Sequence, residues 1–232
     1  MKSFVLVAGF TFCTAAAGMD AELAMRWSPA AGGPESGQRV SELLRRNFKA
    51  PTEFSVRYFD VVKPMDAPAG FDAALRERVR GGRTEVTWKY RATSSDQAPR
   101  LHDAWVCPLR GVAKSKNEVD VSVLAGGEVR RATSWSCTIT AAFDVAVPAS
   151  LQPKQRGCAS KMSRYETGDE QLTLEVWRLS NGEVVLEVSV KGLDTPEQLT
   201  SFRRNVVDTL VAAGAVPLDR SKTEIGTRCR TP

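Results

Sequence analysis

The sequence predicts an α+β protein built on a large antiparallel sheet or barrel with few helices. Three observations point there. Nine short segments alternate apolar and polar residues between turn residues, the pattern of strands with one buried face. Only two segments repeat their apolar residues at clear helical spacing. Asn181-Gly182, between two of the strand-like segments, is a two-residue hairpin turn.

In chain order the strands are read at residues 22–27, 53–60, 75–80, 84–91, 101–107, 118–124, 130–139, 171–179 and 183–191. Residues 75–80 also fit a helix, because Phe71, Leu75 and Val79 share one helical face. A helix over 39–48 places Val40, Leu43, Leu44 and Phe48 on one side, with Ser36 as its cap. A helix over 196–213 carries stronger signals: Thr195 as N-cap, Pro196 in the first turn, Gln198 completing a capping box and Gly214 past the end. Its apolar stripe is Leu199, Phe202, Val206 and Leu210. Breaker-rich stretches at 28–37, 63–70, 92–100 and 146–157 read as loops.

Composition narrows the chemistry. The 232 residues carry 32 Lys+Arg, 27 Asp+Glu and a single histidine, His102, for a net charge of +5. So small an excess does not argue for nucleic acid, and Arg45-Arg46 and Arg203-Arg204 read as solvated helix faces. One histidine weighs against a multi-His metal site and a Ser-His-Asp triad, leaving carboxylates, Lys and Arg to carry any chemistry. Residues 1–17 read as a signal peptide, with Lys2 at the positive start, an apolar run and Ala15-Ala16-Ala17 at the cleavage site. That run is too short to span a membrane. The chain is therefore expected to be exported, to the periplasm or the cell exterior, with residues 18–232 forming a single domain. No membrane contact is expected after cleavage. Cys107, Cys137, Cys158 and Cys229 then remain and read as two disulfides. Three pairings are open, of which Cys107–Cys137 with Cys158–Cys229 is preferred; the lack of a CxxC pair argues against zinc.

The strand faces carry the functional signal. Side chains alternate sides along a strand, so Val86, Trp88 and Tyr90 oppose Glu85, Thr87, Lys89 and Arg91. Arg76, Arg78 and Arg80 share one face, Glu118 and Asp120 another, and Val184, Leu186 and Val188 oppose Glu187, Ser189 and Lys191. A solvated sheet face would show the same alternation. A barrel with a charged lumen and an apolar, helix-covered outside also fits. Guanidinium groups bind phosphate oxygens, and carboxylates hold a hard cation that bridges phosphates, so such a lumen suits a polyanion with a divalent cation.

Several segments occur in a fixed order: Glu22-Leu23-Ala24-Met25-Arg26, Tyr58-Phe59-Asp60, Leu75-Arg76-Glu77-Arg78, residues 86–91, Glu175 and Glu187 in late acidic strands, and Ser221-Lys222-Thr223-Glu224 after the long helix. Over most of the chain this set resembles the CYTH superfamily, the triphosphate tunnel metalloenzymes, with its ExExK strand, YFDT-like segment, LRxR strand and late ExE-like pair. The resemblance implies a closed antiparallel eight-stranded tunnel-like β-barrel with flanking helices, binding triphosphate compounds with Mg²⁺ or Mn²⁺. Many members hydrolyse triphosphates and some make cyclic AMP. It implies Arg26, Arg76, Arg78, Lys89, Arg91 and Lys191 as phosphate contacts and Glu22, Glu175 and Glu187 as cation ligands. Glu85, Glu118 and Asp120 are substitutes. Ala24 and Ser189 stand where further carboxylates would help, which weighs against turnover more than against anion binding. The expected partner is a small polyanion of the triphosphate or polyphosphate class. The alternatives are an Mg²⁺- or Mn²⁺-dependent triphosphate or polyphosphate phosphohydrolase, and a non-catalytic scaffold whose outer loops bind a protein. Trp88 is read as a packing residue, Trp177 as a rim residue, and Trp105 and Trp135 as packing against a disulfide.

Overall fold

The computed structural model describes residues 19–61, 71–92, 107–109, 114–141, 154–155, 159–169 and 171–227. Its strands are β1 (Asp20–Trp27), β2 (Thr52–Asp60), β3 (Phe71–Arg80), β4 (Arg83–Ala92), β5 (Lys114–Val123), β6 (Val129–Ala141), β7 (Lys154–Gln155), β8 (Ser160–Glu166), β9 (Leu172–Arg178) and β10 (Val184–Leu193). Helix α1 is Gly37–Leu44. Helix α2 runs over residues 196–212 as Pro196–Phe202, a π turn at Arg203–Val207, and Asp208–Ala212. Helix α3 is Lys222–Thr227.

Nine of the strands close into a barrel in the order β2-β3-β4-β6-β5-β1-β10-β9-β8, with β8 returning to β2, while β7 pairs only with the end of β2. All pairings round the ring are antiparallel except β1 with β5, where Ala21 to Met25 run alongside Val119 to Val123. A ring with an odd number of strands cannot alternate direction throughout, so one parallel pair is obligatory. The closed tunnel stands as expected, but with nine strands instead of eight and with mixed pairing. The added strand is β8. Its sequence, Ser-Lys-Met-Ser-Arg-Tyr-Glu, puts polar groups on both faces and so lacks clean alternation. Residues 75–80 are strand, paired on both sides by β2 and β4. Residues 101–106 lie outside the described residues.

The outer barrel face is the main core. Leu23, Met25, Val121, Val123, Leu174, Val176, Leu186 and Val188 are covered by Val40 of α1 and Phe202, Val206, Val207 and Leu210 of α2. The capping signals hold: Ser36 accepts from the Arg39 N–H and Thr195 from the Gln198 N–H. Gln198, however, reaches the Leu193 N–H instead of its own cap. The π turn widens α2 enough to bring both Val206 and Val207 against the barrel.

A second outer cluster, Leu75, Val86, Trp88 and Leu109, is tied to the sheet by the Cys107–Cys137 disulfide, whose Cα atoms are 6.0 Å apart. This is the preferred first pairing; Cys158 and Cys229 lie outside the described residues. Trp88 is fully buried in that cluster, as its parity implies. The disulfide closes a loop of 30 residues. Cys107→Ala is expected to lower the unfolding free energy by about 2–4 kcal/mol in urea titrations. An unchanged midpoint would contradict a structural role for the bond.

Candidate functional site

The inner face of the barrel has two zones. One is apolar: Val56 and Tyr58 of β2, Met162 of β8, Trp177 of β9 and Val185 of β10 pack with Ile225 of α3. Trp177 therefore sits inside this floor, not at a rim, and its indole N–H donates to Glu175 Oε2 at 3.1 Å.

The other zone is charged. Strand register sets one row across four strands: Arg26 of β1 opposite Glu187 of β10, Glu187 opposite Glu175 of β9, and Glu175 opposite Arg164 of β8. The outer pairs are direct. Arg26 Nε lies 2.5 Å from Glu187 Oε2, and Arg164 Nη2 lies 2.6 Å from Glu175 Oε1. The middle of the row places two carboxylates on facing strands, each 1% exposed, which is unfavourable alone. Lys222 resolves it. Its Nζ lies 2.5 Å from Glu187 Oε1, 3.0 Å from Glu175 Oε2 and 3.4 Å from Glu22 Oε1. An ammonium has three N–H donors, and three carboxylates surround it.

Helix α3 delivers this lysine. Ser221 and Glu224 form a reciprocal capping box: the Glu224 N–H donates to Ser221 Oγ at 3.3 Å and the Ser221 N–H to Glu224 Oε2 at 2.8 Å. Gly226 lets the helix lie flush on the Tyr58 ring, where a Cβ would come within 2.4 Å of ring carbons.

Above this row lies a cavity of about 300 Å³. Arg76 and Arg78 of β3, Lys89 and Arg91 of β4, Glu118 and Asp120 of β5, and Arg164 line it, with Lys114, Lys116 and Lys191. Asp120 accepts from Lys89 Nζ at 3.0 Å and Arg91 Nη2 at 2.8 Å. Lys116 pairs with Glu118, and Lys89 Nζ lies 3.7 Å from Glu118. Arg78 lies 3.7 Å from Glu175 and 3.9 Å from Glu85.

Electrostatics follow from these contacts. The Lys222 ammonium pulls the Glu22 carboxyl down to about 2, against burial and the nearby Asp120 and Glu175 charges. Burial would raise Glu175, yet Lys222, Arg78 and Arg164 hold it well below the usual carboxylate range. Burial would likewise raise Asp120, but Lys89 and Arg91 depress it. Burial and the neighbouring Arg76 charge lower Arg78 to about 10, so it stays protonated at neutral pH. Burial also lowers Lys89, despite Asp120.

All six basic positions read from the sequence thus face the lumen, though not equally. Arg26 is committed to Glu187, and Lys191 is exposed at the rim. Glu22, Glu175 and Glu187 converge, but on an ammonium. Among the described residues, three acidic side chains bring ligand atoms within 4.8 Å of one another: Glu22, Glu118 and Asp120. Four basic lumen residues were missed. Lys114 and Lys116 precede the segment read as a strand at 118–124. Arg164 lies on the unrecognised β8. Lys222 follows Ser221 in an S-x-x-E capping box, a signal present in the sequence that marked a helix start but not its position inside the barrel.

The chain forms a closed strand tunnel with a charged lumen and helices outside, the architecture that the resemblance drawn from its sequence implies. No family model and no curated protein matches it. Among solved structures it is similar to PH1819 from Pyrococcus horikoshii (11% identity, 88% of this chain and 97% of that one, TM-score 0.49). It is also similar to HpAC1 from Hippeastrum, described as an adenylyl cyclase candidate with a dominant triphosphatase activity (12% identity, 90% and 95% covered, TM-score 0.48). A third is an adenylate cyclase candidate from Vibrio parahaemolyticus (11% identity, 90% and 98% covered, TM-score 0.42).

Two outcomes follow. Lys222→Met leaves three carboxylates without their shared cation and is expected to cost about 3–5 kcal/mol of stability, read by chemical denaturation. A cost below about 1 kcal/mol would contradict the arrangement. The second concerns pH. Glu22 is depressed in the folded state, so its contribution is present above the unfolded value of 4.5 and is lost as pH falls towards about 2. Thermal melts should show stability falling across that window, and Lys222→Met should flatten the Glu22 contribution.

Proposed function

We propose that the barrel lumen binds a small polyanion of the triphosphate or polyphosphate class. One observation carries the reading: ten Lys or Arg but only four Asp or Glu line the cavity. The buried Glu175 and Glu187 beneath it bring the carboxylates to six, still fewer than the cations. A low-dielectric enclosure with surplus positive charge attracts anions, and the ligand's charge offsets the mutual repulsion of cations held close together. Arg76 and Arg78 strengthen the reading. Their Nε groups are buried and find no hydrogen-bond acceptor among the described residues, and phosphate oxygens are strong acceptors for guanidinium forks. The Cys107–Cys137 disulfide supports an exported protein, as residues 1–17 imply.

The phosphohydrolase alternative needs a resident Mg²⁺ or Mn²⁺. Glu175 and Glu187 do not fit one, because their oxygens already take Lys222, Arg26, Arg164 and Trp177. Glu22, Glu118 and Asp120 are close enough to share an ion, but Lys222, Lys116, Lys89 and Arg91 already neutralise them.

Thermal shift with sodium tripolyphosphate is the test. Millimolar ligand should raise the melting temperature, the effect should shrink with added salt, and the Lys89→Ala, Arg91→Ala double variant should bind about tenfold more weakly or worse. No stabilisation at any salt concentration would refute lumen binding. Phosphate release that depends on Mg²⁺ or Mn²⁺ would favour the hydrolase instead.

A further inference from the structure

We propose that this lumen takes its anion without a divalent cation, because the Lys222 ammonium already occupies the centre of the carboxylates from β1, β9 and β10. The proposal rests on the lumen being an anion site and specifies how that site is balanced.

Charge and ligand count argue for it together. Glu22, Glu175 and Glu187 supply three negative charges. Lys222, Arg26, Arg78 and Arg164 supply four positive ones within 4.0 Å of them. These seven groups are net positive before any ion enters, with Glu85 and Glu166 reached only from their edge by Arg78 and Arg164, and a divalent ion would raise the charge at the buried centre further. Coordination points the same way. Mg²⁺ demands near-octahedral oxygen ligands at close range, whereas each oxygen of Glu175 and Glu187 already has a cationic or N–H partner. A metal at Glu22, Glu118 and Asp120 would lie between Lys89, 3.0 Å from Asp120, and Lys222, 3.4 Å from Glu22. Repulsion from both ammonium groups opposes it there.

The stand-in is built, not incidental. Lys222 comes from an element that is not part of the barrel wall, on a helix fixed by the Ser221–Glu224 box and by Gly226 against Tyr58. It makes three carboxylate contacts at 17% exposure. A bound phosphate chain would then meet Arg76, Arg78, Lys89 and Arg91 directly, with no bridging metal.

Two measurements separate this proposal from the one beneath it. Isothermal titration with sodium tripolyphosphate is run in EDTA and again in Mg²⁺, and Mn²⁺ binding without phosphate is followed by electron paramagnetic resonance. The wild-type protein should bind tripolyphosphate in EDTA at least as tightly as in Mg²⁺ and should bind no Mn²⁺. Lys222→Gln should bind tripolyphosphate about tenfold more weakly in EDTA and should gain Mn²⁺ binding. Tripolyphosphate binding only in Mg²⁺, or Mn²⁺ bound by the wild-type protein, would overturn metal independence while leaving the anion site standing. A folded Lys222→Gln protein that binds no Mn²⁺ would overturn Lys222 as the stand-in. If that variant does not fold, the wild-type titration and resonance spectra decide alone. Absence of binding in both buffers would overturn the anion site itself.

Discussion

Two buried carboxylates face each other across adjacent strands, and the arrangement of the barrel interior depends on what neutralises them. Glu175 and Glu187 are paired by register, so backbone hydrogen bonding holds them together whatever their charges prefer. Arg26 and Arg164 answer from the flanking strands, and Lys222 answers from outside the sheet. Removing any of these cations would leave a charge in a place water does not reach, the costly half of a buried ion pair. The row therefore fixes the seating of α3, which in turn completes the apolar floor through Ile225.

The barrel lets one chain satisfy two opposed demands. Its outer face is an ordinary hydrophobic core, closed by α1 and α2 and by the disulfide-tied segment at Leu109. Its inner face can then be polar, because stability is supplied elsewhere. A tunnel with an apolar floor and a charged upper zone has the excess of cations over carboxylates that an anion site needs, at the end where Lys114, Lys116 and Lys191 approach solvent.

Period-two alternation made the lumen legible. Lys89 and Arg91 had to oppose Trp88 and Tyr90, and Glu187 had to oppose Leu186 and Val188, whatever the partners of those strands. Helix starts were readable from Ser36 and Thr195 and the end of α2 from Gly214, since capping is local chemistry, but α1 stops at Leu44 with Arg45 in the left-handed region, not at Phe48, which bridges to Thr167. Register was not readable. A two-residue turn at Asn181-Gly182 would set Glu175 opposite Val188, whereas Leu179 and Glu183 close a three-residue loop that sets it opposite Glu187, and nothing local says that Lys222, far along the chain, bridges the two. β8 was invisible because its outward face is polar too, with Ser163 bonded to Glu53 and Arg178, and Arg164 was lost with it. The acidic residues were read as ligands of a metal ion; that they surround the Lys222 ammonium is a property of three-dimensional placement.

That placement is also what most directly tests the account. A crystal of the protein grown with Mn²⁺ and no phosphate, measured at the manganese absorption edge, would show the lumen's cation directly. The account predicts the Lys222 ammonium between Glu22, Glu175 and Glu187 and no anomalous peak inside the barrel. An anomalous peak coordinated by those carboxylates, with Lys222 displaced, would contradict it.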